Sequence, residues 1–273
     1  MELIKAHLII ACILYAFATL FSFAVLFRTN LKIHWGKFKI IVLLGFAAQT
    51  ISLMLYWQIK KHFPVTSNTE AFFLMGWLLI PLMLFIAYRT KDVMMNSILL
   101  PFIIISILVM LLKETPLLII NPKLISSWMY LHIPSSLLGI IFLFTTFGTS
   151  LMYLLQEDAV KHKKSGWIYY KLPSMQRCDR ISYYCLVTGF ILITIGLISG
   201  IFWAKAAFGK FWQWDIKEIL TAFTWIAYAV LLFNRIVMKW HGKPAAYFAL
   251  IAFLLVLIMF FGFQFITHSY HTF

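Results

Sequence analysis

Apolar residues run through this chain in continuous stretches rather than in alternation with polar ones. The runs fall at about 8–27, 40–59, 71–88, 96–112, 128–155, 181–203, 219–237 and 245–266. Their lengths suit helices that cross roughly 30 Å of hydrocarbon, which takes about 17 to 25 residues. The pattern predicts an all-α, polytopic membrane protein with eight transmembrane helices. A transmembrane β-barrel would instead show ten-residue segments of strict alternation, so that class is excluded. The longest polar connection runs only from about Gln156 to Arg180. Residues 1–273 therefore read as a single integral membrane domain.

Composition agrees: 63% of residues are hydrophobic, 12% are charged, and the mean hydropathy is +0.91. Charge changes the picture by setting orientation. Most of the 23 Lys and Arg residues lie in alternate connections, including Arg28 to Lys39, Arg89 to Lys91, Lys161 to Arg180 and Arg235 to Lys243. By the positive-inside rule those connections face inward, which puts the N- and C-termini outside. Inner basic loops meet anionic lipid headgroups, so the formal charge of +14 implies membrane lipid as a partner and no nucleic acid. The first span is too long for a cleavable signal peptide and carries its positive charge after it, so it is expected to remain in the protein. Three cysteines, Cys12, Cys178 and Cys185, have no C-x-x-C spacing, which leaves thiol redox chemistry and self-attachment of haem unsupported.

The polar residues that remain gather at the outer ends. Of eight histidines, His7, His62, His132, His268 and His271 fall at or near the outer face. His132 lies about one turn into the fifth span, where an unpaired imidazole would be costly, and His268 closes the eighth. Either is satisfied as an ordinary hydrogen-bonded interfacial residue, or the two bind one metal between them. Zinc is disfavoured, because no third and fourth N or S ligand stands at a recognisable spacing. The connection "WAKAAFGKFWQWDIKE", Trp203 to Glu218, narrows the choice. An aromatic belt accounts for any single tryptophan among Trp203, Trp212 and Trp214. A belt does not call for Asp215 among them, whereas a flat apolar macrocycle with polar propionates wants indole faces and a few polar groups at its edge. Two histidines on either side of such a plane would be bis-imidazole haem ligation.

These residues resemble the CcsA/ResC/CcmC haem-handling family of cytochrome c assembly. Its signature W-G-x-x-W-x-W-D-x-K-E, the WWD motif, is answered by Phe208, Gly209, Trp212, Trp214, Asp215, Lys217 and Glu218. The run Leu172 to Arg235 resembles the family core, and the core with its tail spans 172–270. His268-Ser269-Tyr270 is similar to the family's closing H-S-Y. Pro64, Ser67, Asn68, Glu70 and Trp77 resemble a further family motif, and His132 occupies the place of the outer histidine before the signature.

The resemblance implies a non-covalent, b-type haem on an outer-face loop of a bacterial plasma-membrane protein. It implies axial metal ligands His132 and His268, with Trp203, Phe208, Gly209, Trp212, Trp214 and Asp215 lining the cofactor. Two departures stand out: Phe208 replaces the first signature tryptophan, and Phe233 stands where many synthetase members carry a histidine two residues before an arginine, here Arg235. With the absence of a fused partner domain, these departures look most like the HemX branch, which is linked to haem biosynthesis and the level of glutamyl-tRNA reductase. The expectation is a haem-binding regulator with no catalytic residues. The alternative is a ResC/CcsA-like haem translocase and cytochrome c synthase subunit, working with a ResB-like partner. A solute transporter is disfavoured, since intramembrane charges are few and paired broken helices are not evident.

Overall fold

A computed structural model describes residues 2–27, 35–65, 67–90, 96–113, 126–162 and 172–259. All regular structure among the described residues is helical: α1 Glu2–Phe27, α2 Trp35–Lys60, α3 Asn68–Thr90, α4 Asn96–Leu112, α5 Ser127–Lys161, α6 Met175–Phe208, α7 Ile216–Ile236 and α8 Lys243–Leu257. Six of them are long and apolar enough to cross a membrane. The other two, the apolar stretches Ile98–Leu112 and Lys243–Leu257, are shorter. At about 1.5 Å per residue, α4 extends about 25 Å, close to the hydrocarbon thickness. The expected last span, 245–266, continues past the described residues.

The largest difference from the sequence reading lies between the fifth and sixth helices. The pattern put a polar connection over Gln156 to Arg180, yet α5 continues to Lys161 and α6 begins at Met175. Outside hydrocarbon a helix needs no apolar face, so an apolar run marks where the membrane ends rather than where the helix does. Gln156, Glu157 and Lys161 have favourable helix propensity. His162 and Asp158, four residues apart, approach to 2.8 Å on the last turn.

The chain divides into two compact units. One comprises Met1–Leu118 with Asp158–Pro173 and so contains α1 to α4. Its interior carries polar side chains that bond from helix to helix. Tyr15 donates its hydroxyl to Gln49 Oε1 at 3.2 Å, Ser52 to the Ile4 carbonyl at 3.2 Å, and Tyr56 to the Glu70 carboxylate. Trp77 Nε1 donates to Thr50 Oγ1 at 2.9 Å while its ring stacks on Phe46. Such bonds register helices in a medium where apolar surface gives little preference for protein over lipid. Ser67 starts α3: its hydroxyl accepts from Glu70 N at 3.2 Å and its carbonyl accepts from Ala71 N.

The second unit, Ile119–Glu157 with Ser174–Phe273, holds α6, α7, α8 and most of α5. Buried Ala245, Ala249, Ala252 and Val256 recur along α8 at helical spacing. Phe253 of α8 packs on Phe144 and Phe147 of α5. Trp225 of α7 donates to Thr194 Oγ1 of α6 at 2.9 Å. At the end of α7, Arg235 is buried. It reaches Asp179 Oδ1 at 2.6 Å and the Asp179 carbonyl at 3.1 Å, and Gly242 N donates to the same carboxylate at 3.1 Å. A residue that read as part of an inner loop is thus an internal clasp joining the start of α6, the end of α7 and the approach to α8.

Candidate functional site

The site is built where α5 and α6 run side by side in the second unit. Trp128 and His132 stand four residues apart on α5, hence on one face of it. They meet the adjacent residues Phe202 and Trp203 of α6 as two rungs. The Trp128 and Phe202 rings stack with centroids 4.7 Å apart, and the His132 and Trp203 rings are parallel within 2° at 6.0 Å. Phe208 then meets Trp203 edge-on at 5.7 Å. His132, Trp203 and Phe208, three of the residues singled out from the sequence, form one contiguous aromatic surface.

The imidazole of His132 is held from behind. Its Nδ1 lies 2.7 Å from the main-chain oxygen of Gly196, and a carbonyl can only accept, so Nδ1 carries the proton and Nε2 keeps its lone pair. That is the tautomer a metal-binding imidazole needs, with its far nitrogen tethered and its near one available.

The second half of the site is the connection between α6 and α7. Gly209 ends α6 in the left-handed conformation at φ 80°, where a side chain is disfavoured, and its N–H bonds the Lys205 carbonyl at 3.0 Å. Lys205 Nζ turns back to donate to the Gly209 carbonyl at 2.9 Å and lies 5.1 Å above the Phe211 ring. At the far end Asp215 occupies the N-cap position of α7 with extended backbone, and its carbonyl accepts from Ile219 N. Glu218, in the first turn of α7, reaches back and accepts from the main-chain N–H of Gln213 at 2.7 Å. The acidic residue therefore braces the loop from inside.

Between these two anchors Trp212 and Trp214 meet edge-on at 6.2 Å. Trp212 has its indole N–H buried with no acceptor among the described residues. Trp214 is the opposite: 79% of it is exposed, and its backbone sits at φ 60°, a conformation that bulky residues rarely adopt. The loop holds one tryptophan inward with an unsatisfied donor and one outward with a bare face. His268, the other expected axial ligand, lies outside the described residues.

This arrangement fits haem on two grounds. His132 presents a lone pair on a tethered imidazole, and Trp212 offers a buried donor that a carboxylate of the ligand would satisfy. Among the described residues no group of three or more His, Cys, Asp or Glu side chains could hold a metal ion by itself. A porphyrin, which brings its own four equatorial nitrogens, asks the protein for axial ligands only. Sequence reasoning missed Trp128, Phe202, Gly196 and the brace role of Glu218. The W-x-x-x-H spacing in "WMYLH" was the one signal available, since it puts both rings on one helix face.

Comparison with known proteins shows the family. A family profile described as "Cytochrome C assembly protein" matches residues 65–271, which include both halves of the site. The chain belongs to the cytochrome c assembly protein family. Among individual proteins it is similar to "Cytochrome c biogenesis protein CcsA" of Trieres chinensis, 28% identical over 251 residues covering 80% of each chain. It is also similar to the protein of that name from Pyropia yezoensis, 28% identical with 86% of each chain covered. The Chlorella vulgaris protein of that name is 28% identical with 92% of this chain and 93% of its own covered. The expectation of a HemX-like protein is not supported by these relatives, which carry the CcsA name, and they favour the alternative reading.

Proposed function

We propose that this chain is a CcsA-like haem-handling subunit of cytochrome c biogenesis. It would hold a non-covalent haem at the outer membrane face for attachment to apocytochrome c. The observation that carries the reading is the tethered imidazole of His132 beside Trp203 in a family member with the Trp-Asp loop. In this reading His132 and His268 are the axial ligands, Trp212 and Trp214 flank the macrocycle, and both termini lie outside. The cell membrane of a bacterium is the proposed location.

Haem would supply the vinyl carbons that become thioethers on the cysteines of an apocytochrome C-x-x-C-H segment. The protein's own part is binding and orientation. Gly196 fixes the His132 ring through Nδ1, Glu218 and Lys205 hold the loop ends, and the aromatic rungs exclude water from the macrocycle face. In this reading the chain is a presenting subunit, and a ResB-like protein would be its partner.

A HemX-like regulator remains the second reading, favoured by one residue. Phe233 stands where the resemblance places a synthetase histidine, and it lies on an exposed face of α7. The chain would be expressed with a ResB-like partner in cells lacking their own maturation system, while holocytochrome c and glutamyl-tRNA reductase are both followed. Holocytochrome that appears only with both proteins, with unchanged reductase, is the expected result. A reductase level that tracks this protein without any holocytochrome would replace the first reading with the second. The visible spectrum of the protein purified in mild detergent supplies the earlier test: a low-spin α/β pattern on reduction is expected, and a protein that stays colourless after haem addition would overturn both.

A further inference from the structure

His132 lies between two glycines of α6 that are one turn apart. Gly196 places its carbonyl oxygen 2.7 Å from Nδ1. A Cβ on Gly200 would come within 2.7 Å of Nδ1 and 2.8 Å of Cε1, so the ring edge lies directly on the backbone. Gly196 must be bare as well: a Cβ there would stand 2.4 Å from Ser136 Oγ and 3.1 Å from Ser136 N. The remaining neighbour of Nδ1, Ser136 Oγ at 3.5 Å, is too distant to compete for the proton. Two glycines with this spacing are usual where membrane helices pack closely. Here the close approach has a chemical result, because it brings an acceptor-only group to one nitrogen of the ring.

We propose that the Gly196–Gly200 edge of α6 is a tautomer lock on His132. It keeps a ring proton on Nδ1, and it raises the donor strength of Nε2. A hydrogen bond from Nδ1–H to a carbonyl shifts electron density across the ring to Nε2. Toward iron, a stronger imidazole donor favours the ferric over the ferrous state and lowers the reduction potential. The lock itself is a property of the haem-free protein; only its effect on iron rests on the haem reading above.

A neighbouring residue gives the proposal a sign. Ser199 Oγ donates mainly to the Ile195 carbonyl at 2.6 Å and also lies 3.1 Å from the Gly196 carbonyl, which it shares with His132. Removing that hydroxyl frees acceptor capacity at Gly196 and should strengthen the His132 bond. Adding a methyl at Gly200 should push the ring away and weaken it. The two substitutions therefore move Nε2 in opposite directions, which a merely structural contact would not do.

The test uses the full chain in detergent with ¹⁵N-labelled histidine, His132 being assigned by the signal lost in His132→Gln. In haem-free wild type the ring should show the Nδ1–H tautomer with a slowly exchanging ring proton. Ser199→Ala should slow that exchange, Gly200→Ala should speed it and mix the tautomers, and Gly36→Ala, whose Cβ would meet nothing within 4 Å, should leave it unchanged. An Nε2–H tautomer in wild type, or equal exchange in all three variants, would overturn the lock. After haem addition, Gly200→Ala should raise the reduction potential and Ser199→Ala should lower it; shifts of the same sign would overturn the electronic effect. A wild-type protein with the expected tautomer that takes up no haem would leave the lock standing and remove the haem reading. If Gly200→Ala fails to insert, the Ser199→Ala exchange rate and potential decide alone.

Discussion

At Trp214 a large indole sits on a backbone conformation, φ 60°, that costs an ordinary residue roughly 1 to 2 kcal/mol. No burial offsets that cost, since the side chain is largely exposed. A residue kept strained and bare is the pattern expected of a binding surface. Trp214→Gly should therefore relax the loop, raising thermal stability by about 1 kcal/mol, while lowering haem affinity. Stability and haem content of the purified variant check both halves, and retained haem binding would return Trp214 to the interfacial belt. At His132 the expected effect is simpler. His132→Ala should insert normally and lose low-spin haem, and added imidazole should restore the spectrum by supplying the missing nitrogen. Trp212→Ala removes both a ring and a buried indole N–H that has no acceptor among the described residues, so its loss of haem affinity, on the order of 1 to 3 kcal/mol, should exceed that of Trp203→Ala. Titration of the apo-proteins with haem measures the difference.

For the elements, the loop between α6 and α7 depends on its two ends. Gly209 stops α6 with a left-handed residue, and Glu218 reaches from the first turn of α7 to the Gln213 N–H. Losing that carboxylate leaves a part-buried donor without its partner, worth about 1 kcal/mol. Glu218→Ala should thus expose the connection to proteolysis and weaken haem binding, whereas Glu218→Gln, which keeps an acceptor oxygen, should retain most of both. Limited proteolysis of the haem-free protein separates the two variants.

In the second unit as a whole, the Arg235–Asp179 clasp ties three chain segments together where the guanidinium is almost fully buried. Removing one partner leaves a buried charge uncompensated, an effect of about 3 to 5 kcal/mol. Arg235→Leu should lower the detergent melting temperature strongly, and Arg235→Leu with Asp179→Leu should recover part of the loss. A double variant no better than the single one would show that the ion pair itself is not the source. Because the clasp sits at the opposite end of α6 from Trp203, haem affinity should follow folded fraction rather than change by itself.

Continuous apolar runs determined the helical class by themselves, because backbone polar groups in hydrocarbon must be satisfied within a helix. The loop motif was equally legible, since Trp212, Trp214 and Asp215 lie close in sequence and their chemistry is local. Helix ends beyond the membrane were not: α5 and α6 continue through residues that hydropathy assigns to a connection, as helix formation outside hydrocarbon has no apolar requirement. The pairing of Trp128 with Phe202, of His132 with Gly196, and of Arg235 with Asp179 joins residues 56 to 74 positions apart. Only packing could decide these. A histidine one turn into a span does not show in the sequence what holds its ring; here that is a carbonyl on another helix, reachable because two glycines there have no side chains.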